Sequence, residues 1–521
     1  MLWIALHLPA LSLEAFAATL AADQAGLPTA LVEAHCIAQA NAAARALGVL
    51  PGQKRVTALA LAPDLLLGQA DALRDAQALV AVAHVALAFT PAVSLSGQGV
   101  RLEVQASLRY FGGLAALLQR LKDALRPLGH QVQVASAPTA LGAALLARWR
   151  ADLETGPHST ALAPLCEWLD AAPVWLLGPG REHWEALQGM GLRTLADLRA
   201  LPRSGLARRF GTELLLELDR ARGDAPEPHA WVELPARFAC RIELFTRADR
   251  SDQVIAGAGI LLARLVAWAQ ARHGRIARFT LVMHHESRHR ANADDEPASQ
   301  TELLIALAEP AIDPQHLRQL LTERVARQPM AAPALELSLW CDAVVAGEAP
   351  NAELFPTRAS EHAGLTRLIE RLQARLGREQ VRSLEPVQDH RPERATASHP
   401  ADPARAGRAP AGTAARCVDP RQVVRPIGAS KANAIVTRPV WLCPEPQALH
   451  DQVGRPLLEG RPLRLLAGPE RIESGWWDGA LAARDYFIAE AGDGALVWIY
   501  RTRLPASPDD GAGWFLHGRF A

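Results

Sequence analysis

One pentapeptide has the spacing of a metal site. His285-Glu286-Ser287-Arg288-His289 fits the pattern His-Glu-x-x-His, in which one helix face brings two imidazoles onto zinc and the glutamate acts as general base. Here the motif closes the strand-forming run Phe279-Thr280-Leu281-Val282-Met283 and runs into the polar segment RANADDEP. On a strand, residues four apart stand about 13 Å from each other and do not converge on one ion. The expectation is a solvated strand end and no metal site. Six cysteines (Cys36, Cys166, Cys240, Cys341, Cys417, Cys443) contain no CxxC pair, which predicts reduced, mostly buried thiols rather than a zinc ribbon or disulfide framework.

The second chemistry in the sequence is phosphate binding. Residues 173–222 break short helical stretches with Gly178-Pro179-Gly180 and Gly189-Met190-Gly191. This is the cadence of a helix-hairpin-helix unit, whose turn amides hold a nucleic-acid phosphate; a plain helical bundle is the equal alternative. Residues 236–290 carry ten arginines against four acids, within a chain whose 55 basic and 55 acidic residues balance. A basic half on a neutral protein is an electrostatic footprint for nucleic acid, and Arg241, Arg247, Arg275 and Arg278 are the expected phosphate contacts. Only three basic residues are lysines. Arginine suits bidentate phosphate contacts, although an Ala/Arg-rich composition by itself carries little weight.

These groups need elements to position them. Residues 2–8 read as a buried strand stopped by Pro9, 12–22 and 34–47 as helices, and 69–88 as a longer helix. A hairpin around Gly97 and Gly99 spans 93–104, followed by a helix at 114–126, a strand at 131–136 and a helix at 138–150. Residues 236–348 alternate strand-like segments (ARFACRIELF, RFTLVMHH, ALELSLWC) with helical ones, a second α+β module. An amphipathic helix covers 364–377. Residues 386–430 are rich in Pro, Ala and Arg and poor in large apolar groups, so a disordered linker is expected. The Trp- and Tyr-rich segment 461–521 reads as a compact β unit.

At 521 residues and 49% apolar content, the chain has room for about three to five domains. No apolar run reaches the roughly 18 uninterrupted residues of a membrane span. Glu14 and Asp23 interrupt the apolar start and no basic region precedes it, so it does not read as a signal peptide. No membrane partner is expected, and the expected location is the cytoplasm.

Several segments, in order, resemble Y-family (translesion, DinB/UmuC-type) DNA polymerases. These are Ala44-Arg45-Ala46-Leu47-Gly48-Val49-Leu50-Pro51-Gly52, Ala62-Pro63-Asp64, residues 94–104 and Ser107-Leu108-Arg109-Tyr110-Phe111-Gly112-Gly113. Gly178-Pro179-Gly180, Gly189-Met190-Gly191-Leu192, Thr194 and Asp197-Leu198 are similar to that family's thumb signature. Tail segments narrow the resemblance to the ImuB-like, non-catalytic subgroup: Asp389-His390-Arg391-Pro392-Glu393, Arg438-Pro439-Val440-Trp441-Leu442, Gly468-Pro469-Glu470-Arg471-Ile472, Asp485-Tyr486-Phe487 and Trp514-Phe515-Leu516-His517-Gly518. The resemblance implies an α+β multidomain fold. Palm and fingers would occupy 1–170, a helix-hairpin-helix thumb 171–230, and a DNA-binding little finger 235–350. A clamp-motif segment with its helix would follow at 351–385, then the linker 386–430 and a β-rich partner-binding unit at 431–521.

The resemblance also supplies a test of activity. Nucleotidyl transfer needs two divalent metals clamped by carboxylates, and Mg-type cations take oxygen ligands. The family places one Asp at the end of the first strand and an Asp-Glu pair in the hairpin motif. Here His7 takes the first place, and Ser96 and Gly97 stand in an acid-free Ser94–Gly99 stretch. Glu103 is a residual carboxylate where the family has an Asp outside the metal pair. Arg45 is the remnant of a triphosphate contact whose Tyr partner is replaced by Ala42. The resemblance therefore implies no catalytic residues and no cofactor. The alternative, an active low-fidelity polymerase, would require Mg.

Asn351-Ala352-Glu353-Leu354-Phe355 is similar to the family's sliding-clamp peptide, with Leu354 and Phe355 as anchors and Asn351 at its start. The implied partners are primer-template DNA bound without sequence preference, the sliding clamp, an ImuA-like protein and an error-prone replicative-type polymerase. The implied role is induced mutagenesis by translesion synthesis, at the nucleoid during DNA damage.

Overall fold

The computed structural model describes residues 1–286, 299–330, 332–347, 358–403, 438–439, 441–452, 454–503 and 513–520. They form two compact units, Met1–Arg375 and Leu376–Ala521.

The first unit begins with the strand Trp3–His7 at the heart of a four-stranded antiparallel sheet, in the order Val93–Ser96, Gly99–Glu103, Trp3–His7, Gln133–Ala137. Alternation along the strand splits its side chains between two cores. Leu2, Ile4, Leu6 and Leu8 join the cluster of the helices Ala72–Leu87 and Leu114–Leu125. Trp3 and Ala5 join a second cluster with the helix Ala140–Trp149. Burial on both faces explains why the segment reads as an unbroken apolar run. The second cluster also contains Leu165, Leu187, Leu198 and Phe210, so one core runs across the expected boundary at 170.

Residues 34–47 do not form the expected helix. Cys36–Ala40 is a strand, paired antiparallel with Thr29–Glu33, and only Ala42–Ala46 is helical, with Asn41 accepting from the Ala44 amide. Ala34 and His35 adopt positive φ at the turn between the strands. Strand pairing that buries Ala30, Ile37 and Ala40 outweighs the weak helix preference of an alanine-rich stretch. The expected helix at 12–22 likewise ends at Ala17. Residues 178–222 hold five short helices instead of two: Gly178–Glu182, Trp184–Gly189, Leu195–Arg199, Arg203–Phe210 and Thr212–Arg222.

The second α+β module is a four-stranded antiparallel sheet in the order Gln300–Ala311, Gly274–His285, Ala334–Ala346, Phe238–Ala248. The helices Ser251–Ala271 and Pro314–Arg327 contribute to its core. The edge strand Gln300–Ala311 was not legible in sequence, since it buries little beyond Ile305. Ser251–Ala271 is long and apolar enough to cross a membrane, but 67% of its most apolar window is buried inside the fold. It is a core helix, with Val254, Leu261, Leu265 and Trp268 enclosed.

In the second unit, seven strands form an antiparallel sheet, with Tyr486 stacked on Trp498 at 4.1 Å in one of its cores. The expected linker is corrected here. Residues 382–386 and 396–400 pair as strands, and Pro392–Arg394 is a 3-10 turn. Arg391 is 2% exposed and bonds Asp389, Asp478 and the Ala480 carbonyl. The charges that made this segment look disordered are neutralised in part by Asp478, on a turn, and Arg484, on a strand, about ninety positions away, a pairing that composition does not show. Residues 404–430 lie outside the described residues.

Candidate functional site

The structure brings His7 and the 96–99 turn together. His7 pairs with Gly99, Ser96 pairs with Gly99 across the hairpin, and the Leu8 amide donates to the Gln98 carbonyl at 3.0 Å. Gly97 makes the turn at φ +55, in the left-handed region that glycine enters freely. Burial pushes the His7 imidazole below its ordinary pKa, and Arg148 and Arg181 push it further, against a bond to the Gln98 backbone. Arg148 is itself lowered by burial and then by Arg181, with Glu217 opposing. It donates to the Leu176 carbonyl at 2.9 Å.

Like charges therefore crowd the place where the resemblance implies metals. An imidazole, a hydroxyl and two guanidinium groups are not a donor set for Mg, which takes oxygen ligands and favours carboxylates. Among the described residues, no group of three or more His, Cys, Asp or Glu could hold a metal ion. Glu103 does not change this. It pairs with Trp3, at the other end of the strand from His7, and its carboxylate accepts from the amides of Leu2 and Gln105.

Within the expected 173–222 unit, the helices Trp184–Gly189 and Leu195–Arg199 flank a turn whose amides are engaged within the chain. The amides of Met190 and Leu192 donate to Leu187, and Gly191, at φ +79, donates to Gln188. The Asp197 carboxylate takes the amides of Arg193 and Thr194. These backbone bonds hold the Asp197 pKa below its ordinary value. The Gly178 amide donates to Glu217 at 2.9 Å. Gly180 meets the Val174 carbonyl so closely that a Cβ would lie 2.2 Å from it. Gly189 closes the helix Trp184–Gly189. Of the four glycines, Gly180 and Gly191 have packing or conformational reasons of their own.

The little-finger-like sheet carries the four predicted arginines on two strands. Arg241 and Arg247 alternate outward along Phe238–Ala248, and Arg278 is exposed on the Gly274–His285 strand, with Ala334–Ala346 between the two. Each has an acid nearby: Arg241–Glu336 at 3.6 Å, Arg247–Glu286 at 3.6 Å and Arg278–Asp342 at 3.5 Å. Arg275 is half-buried beside Val345. Long, exposed pairs of this kind are weak, so an incoming phosphate can replace the acid at little cost. Sequence reasoning counted the arginines of one segment and missed the acids that the Ala334–Ala346 strand lays alongside.

The remaining motifs are placed as follows. His285 ends its strand and is buried, with its Nε2 2.6 Å from the Thr301 hydroxyl. Ser287, Arg288 and His289 lie outside the described residues, as do Asn351, Leu354 and Phe355. Arg45 is exposed on the helix Ala42–Ala46, next to the separate three-stranded sheet. Arg148 and Arg181 were not singled out in the sequence. Arg181 directly follows Gly180, but nothing in the pattern says that it acts on His7.

No family model matches the chain. Protein ImuB of Caulobacter vibrioides is 30% identical over 486 residues, which span 91% of this chain and all of that protein, in two strains. The chain belongs to the ImuB family. It is thereby a protein of DNA-damage tolerance, and the α+β multidomain architecture expected of an ImuB relative is the one that the described residues have. Among solved structures, a Dbh ternary complex covers 66% of the chain and 99% of its own, at 16% identity and TM-score 0.36. DinB from Sulfolobus solfataricus covers 66% and 98%, at 14% identity and TM-score 0.34. Likeness at these scores adds no weight to the ImuB assignment.

Proposed function

We propose that this ImuB-family chain is a non-catalytic adapter for translesion synthesis. It binds primer-template DNA and the sliding clamp, and with an ImuA-like protein it recruits an error-prone replicative-type polymerase. The observation that carries the reading is the end of the N-terminal sheet, where His7, Arg148 and Arg181 stand, while the one carboxylate on these strands, Glu103, lies at the other end and is committed to backbone amides. A two-metal mechanism has no ligands there. DNA is gripped through the sheet bearing Arg241, Arg247, Arg275 and Arg278, and the weak ion pairs of Arg241, Arg247 and Arg278 yield to phosphate. Leu354 and Phe355 anchor the clamp.

Primer extension with the purified protein and Mg or Mn, beside a DNA-binding assay, tests this. The expected result is binding without incorporation. Incorporation above background, surviving removal of contaminating polymerases, establishes the active low-fidelity polymerase instead. Truncating Leu354 and Phe355 to Ala removes roughly 1.5–3 kcal/mol per fully buried anchor. The expected loss of clamp affinity is about tenfold to hundredfold for each, with the other partners retained in a pull-down.

A further inference from the structure

The four-stranded sheet that bears Arg241 and Arg278 packs one face on the helices Ser251–Ala271 and Pro314–Arg327. Its other face is open. Along the inner strand Ala334–Ala346, Leu337, Leu339 and Cys341 are buried in the core, and the alternate position Trp340 is 40% exposed. A tryptophan stabilises a fold chiefly through burial, so packing does not explain a ring left open in the middle of a sheet. The outward Phe245 is explained, since it meets Phe16 edge to face at 5.3 Å.

Strand register sets out what surrounds the ring. Trp340 pairs with Ala239 on one side and Thr280 on the other, and Thr280 pairs with Leu304. Ala239 and Leu304 are exposed, so an apolar row crosses the sheet. The next row on one side holds Arg241 beside Ser338, whose hydroxyl lies 2.9 Å from His284 Nε2. On the other side stand Arg278 and Asp342, 3.5 Å apart. The apolar row is therefore flanked by a guanidinium on both sides.

This arrangement selects the ligand. Arg241 and Arg278 each have an acid within 3.6 Å, so little positive charge is free, and counterion release alone holds a polyanion weakly there. An aromatic on the open face of a four-stranded antiparallel sheet supplies the missing attraction by stacking on a base. Bases in a duplex already stack on one another and turn no face outward; an unpaired base does. An apolar protein partner would leave the flanking guanidinium groups unused, whereas a stacked nucleotide brings phosphates to them.

We infer that Trp340 is a stacking platform for an unpaired base of single-stranded DNA, with Arg241 and Arg278 on the phosphates to either side. The inference rests on the reading that this sheet grips DNA, and adds which part of the DNA it holds. The test titrates the full chain, Trp340→Thr and Trp340→Phe with an oligothymidylate, an abasic strand of the same length and a blunt duplex. Threonine keeps the strand preference and removes the ring; phenylalanine keeps a smaller ring. Wild type is expected to bind the oligothymidylate about tenfold or more tighter than the abasic strand. Trp340→Thr should lose that margin and bind both as wild type binds the abasic strand. Trp340→Phe should keep most of it, with duplex binding unchanged throughout. If Trp340→Thr lowers the melting temperature, the ratio of oligothymidylate to abasic affinity still decides, because a folding defect reduces both alike. Unaltered oligothymidylate binding by Trp340→Thr overturns the platform and leaves the DNA grip standing. A loss equal on all the probes makes Trp340 a support for the arginines and overturns the platform too. Wild type that binds none of the probes overturns the DNA reading and the platform with it. Self-association lost by Trp340→Thr in light scattering, with oligothymidylate binding unchanged, replaces the base with a second copy of the chain and overturns the inference.

Discussion

Arginine does opposite work at two places in this chain. Beside His7, Arg148 and Arg181 face one another and an imidazole, and the pKa values of Arg148 and His7 fall. In the C-terminal unit, Arg391 is enclosed by Asp389 and Asp478. Its pKa is raised, and Asp478 is held down at about 2 by Arg391 and the Ala480 amide. The first place is crowded positive charge, opposed in part by Glu217, beside strands that carry no carboxylate at that end. The second is a saturated clasp that joins residues far apart in sequence. A count of arginines treats both as basic surface; only the second is structural glue. Arg241 and Arg278 are intermediate in compensation, each in an exposed pair near 3.5 Å.

The sharpest way to break the contrast is Arg391→Ala. It leaves Asp389 and Asp478 without their shared guanidinium, and the C-terminal unit should melt earlier and become susceptible to limited proteolysis. Arg391→Lys should rescue only part, because an ammonium cannot fork to both carboxylates. The clasp also has a pH signature. Asp478 is depressed from 3.8 to about 2, so its contribution is full above pH 3.8 and is lost as pH falls toward 2. Asp478→Asn should remove that dependence, read from melting curves.

Burial without charge is isolated at His84. Desolvation alone lowers its pKa from 6.5 to about 4. The unfolded chain takes the proton first, so the N-terminal unit is fully stable above pH 6.5 and loses on the order of 3 kcal/mol as pH falls to about 4. His84→Leu should flatten most of this slope; a slope that stays would assign it to His7 and its arginines.

A smaller effect is expected from His7→Asp. A carboxylate facing Arg148 and Arg181 relieves the crowding and should raise stability by up to about 1 kcal/mol. It should not produce primer extension, because one carboxylate does not hold two metals. The smallest effect on stability belongs to Arg241→Glu and Arg278→Glu, within about 1 kcal/mol in a melting experiment. If these side chains touch phosphates, the slope of log affinity against log salt falls by about 0.9 for each lost contact. An unchanged slope moves the DNA contact to another face.

The strand at 2–8, the hairpin at 93–104 and the helices at 69–88, 114–126 and 138–150 were legible because each has one strong period and clear stops at Pro9, Gly97 or a capping residue such as Thr139. The strand at 36–40 was not, since alanine-rich segments carry little information about which partner will pair with them. At the His-Glu-x-x-His spacing the strand was legible, because the apolar run before His285 declares it, but the expected solvated strand end is corrected: His285 is buried against the Thr301 hydroxyl. The ordered 382–403 segment was misread. Its apolar content is low, and it is held by ion pairs to Asp478 on a turn and Arg484 on a strand of the C-terminal sheet.

By itself the sequence determined that the acids are missing. Side-chain chemistry is written in residue identity, and no fold can put a carboxylate on His7, Ser96 or Gly97. It also determined the alternation that buries the Trp3–His7 strand on both faces. Only the tertiary structure decided which charges meet. That Arg148 and Arg181 act on His7, that Glu336 and Asp342 shadow Arg241 and Arg278, and that Arg391 reaches Asp478 all follow from strand pairing and helix packing between distant segments. Electrostatic energy depends on separation and surroundings, which the order of residues does not state.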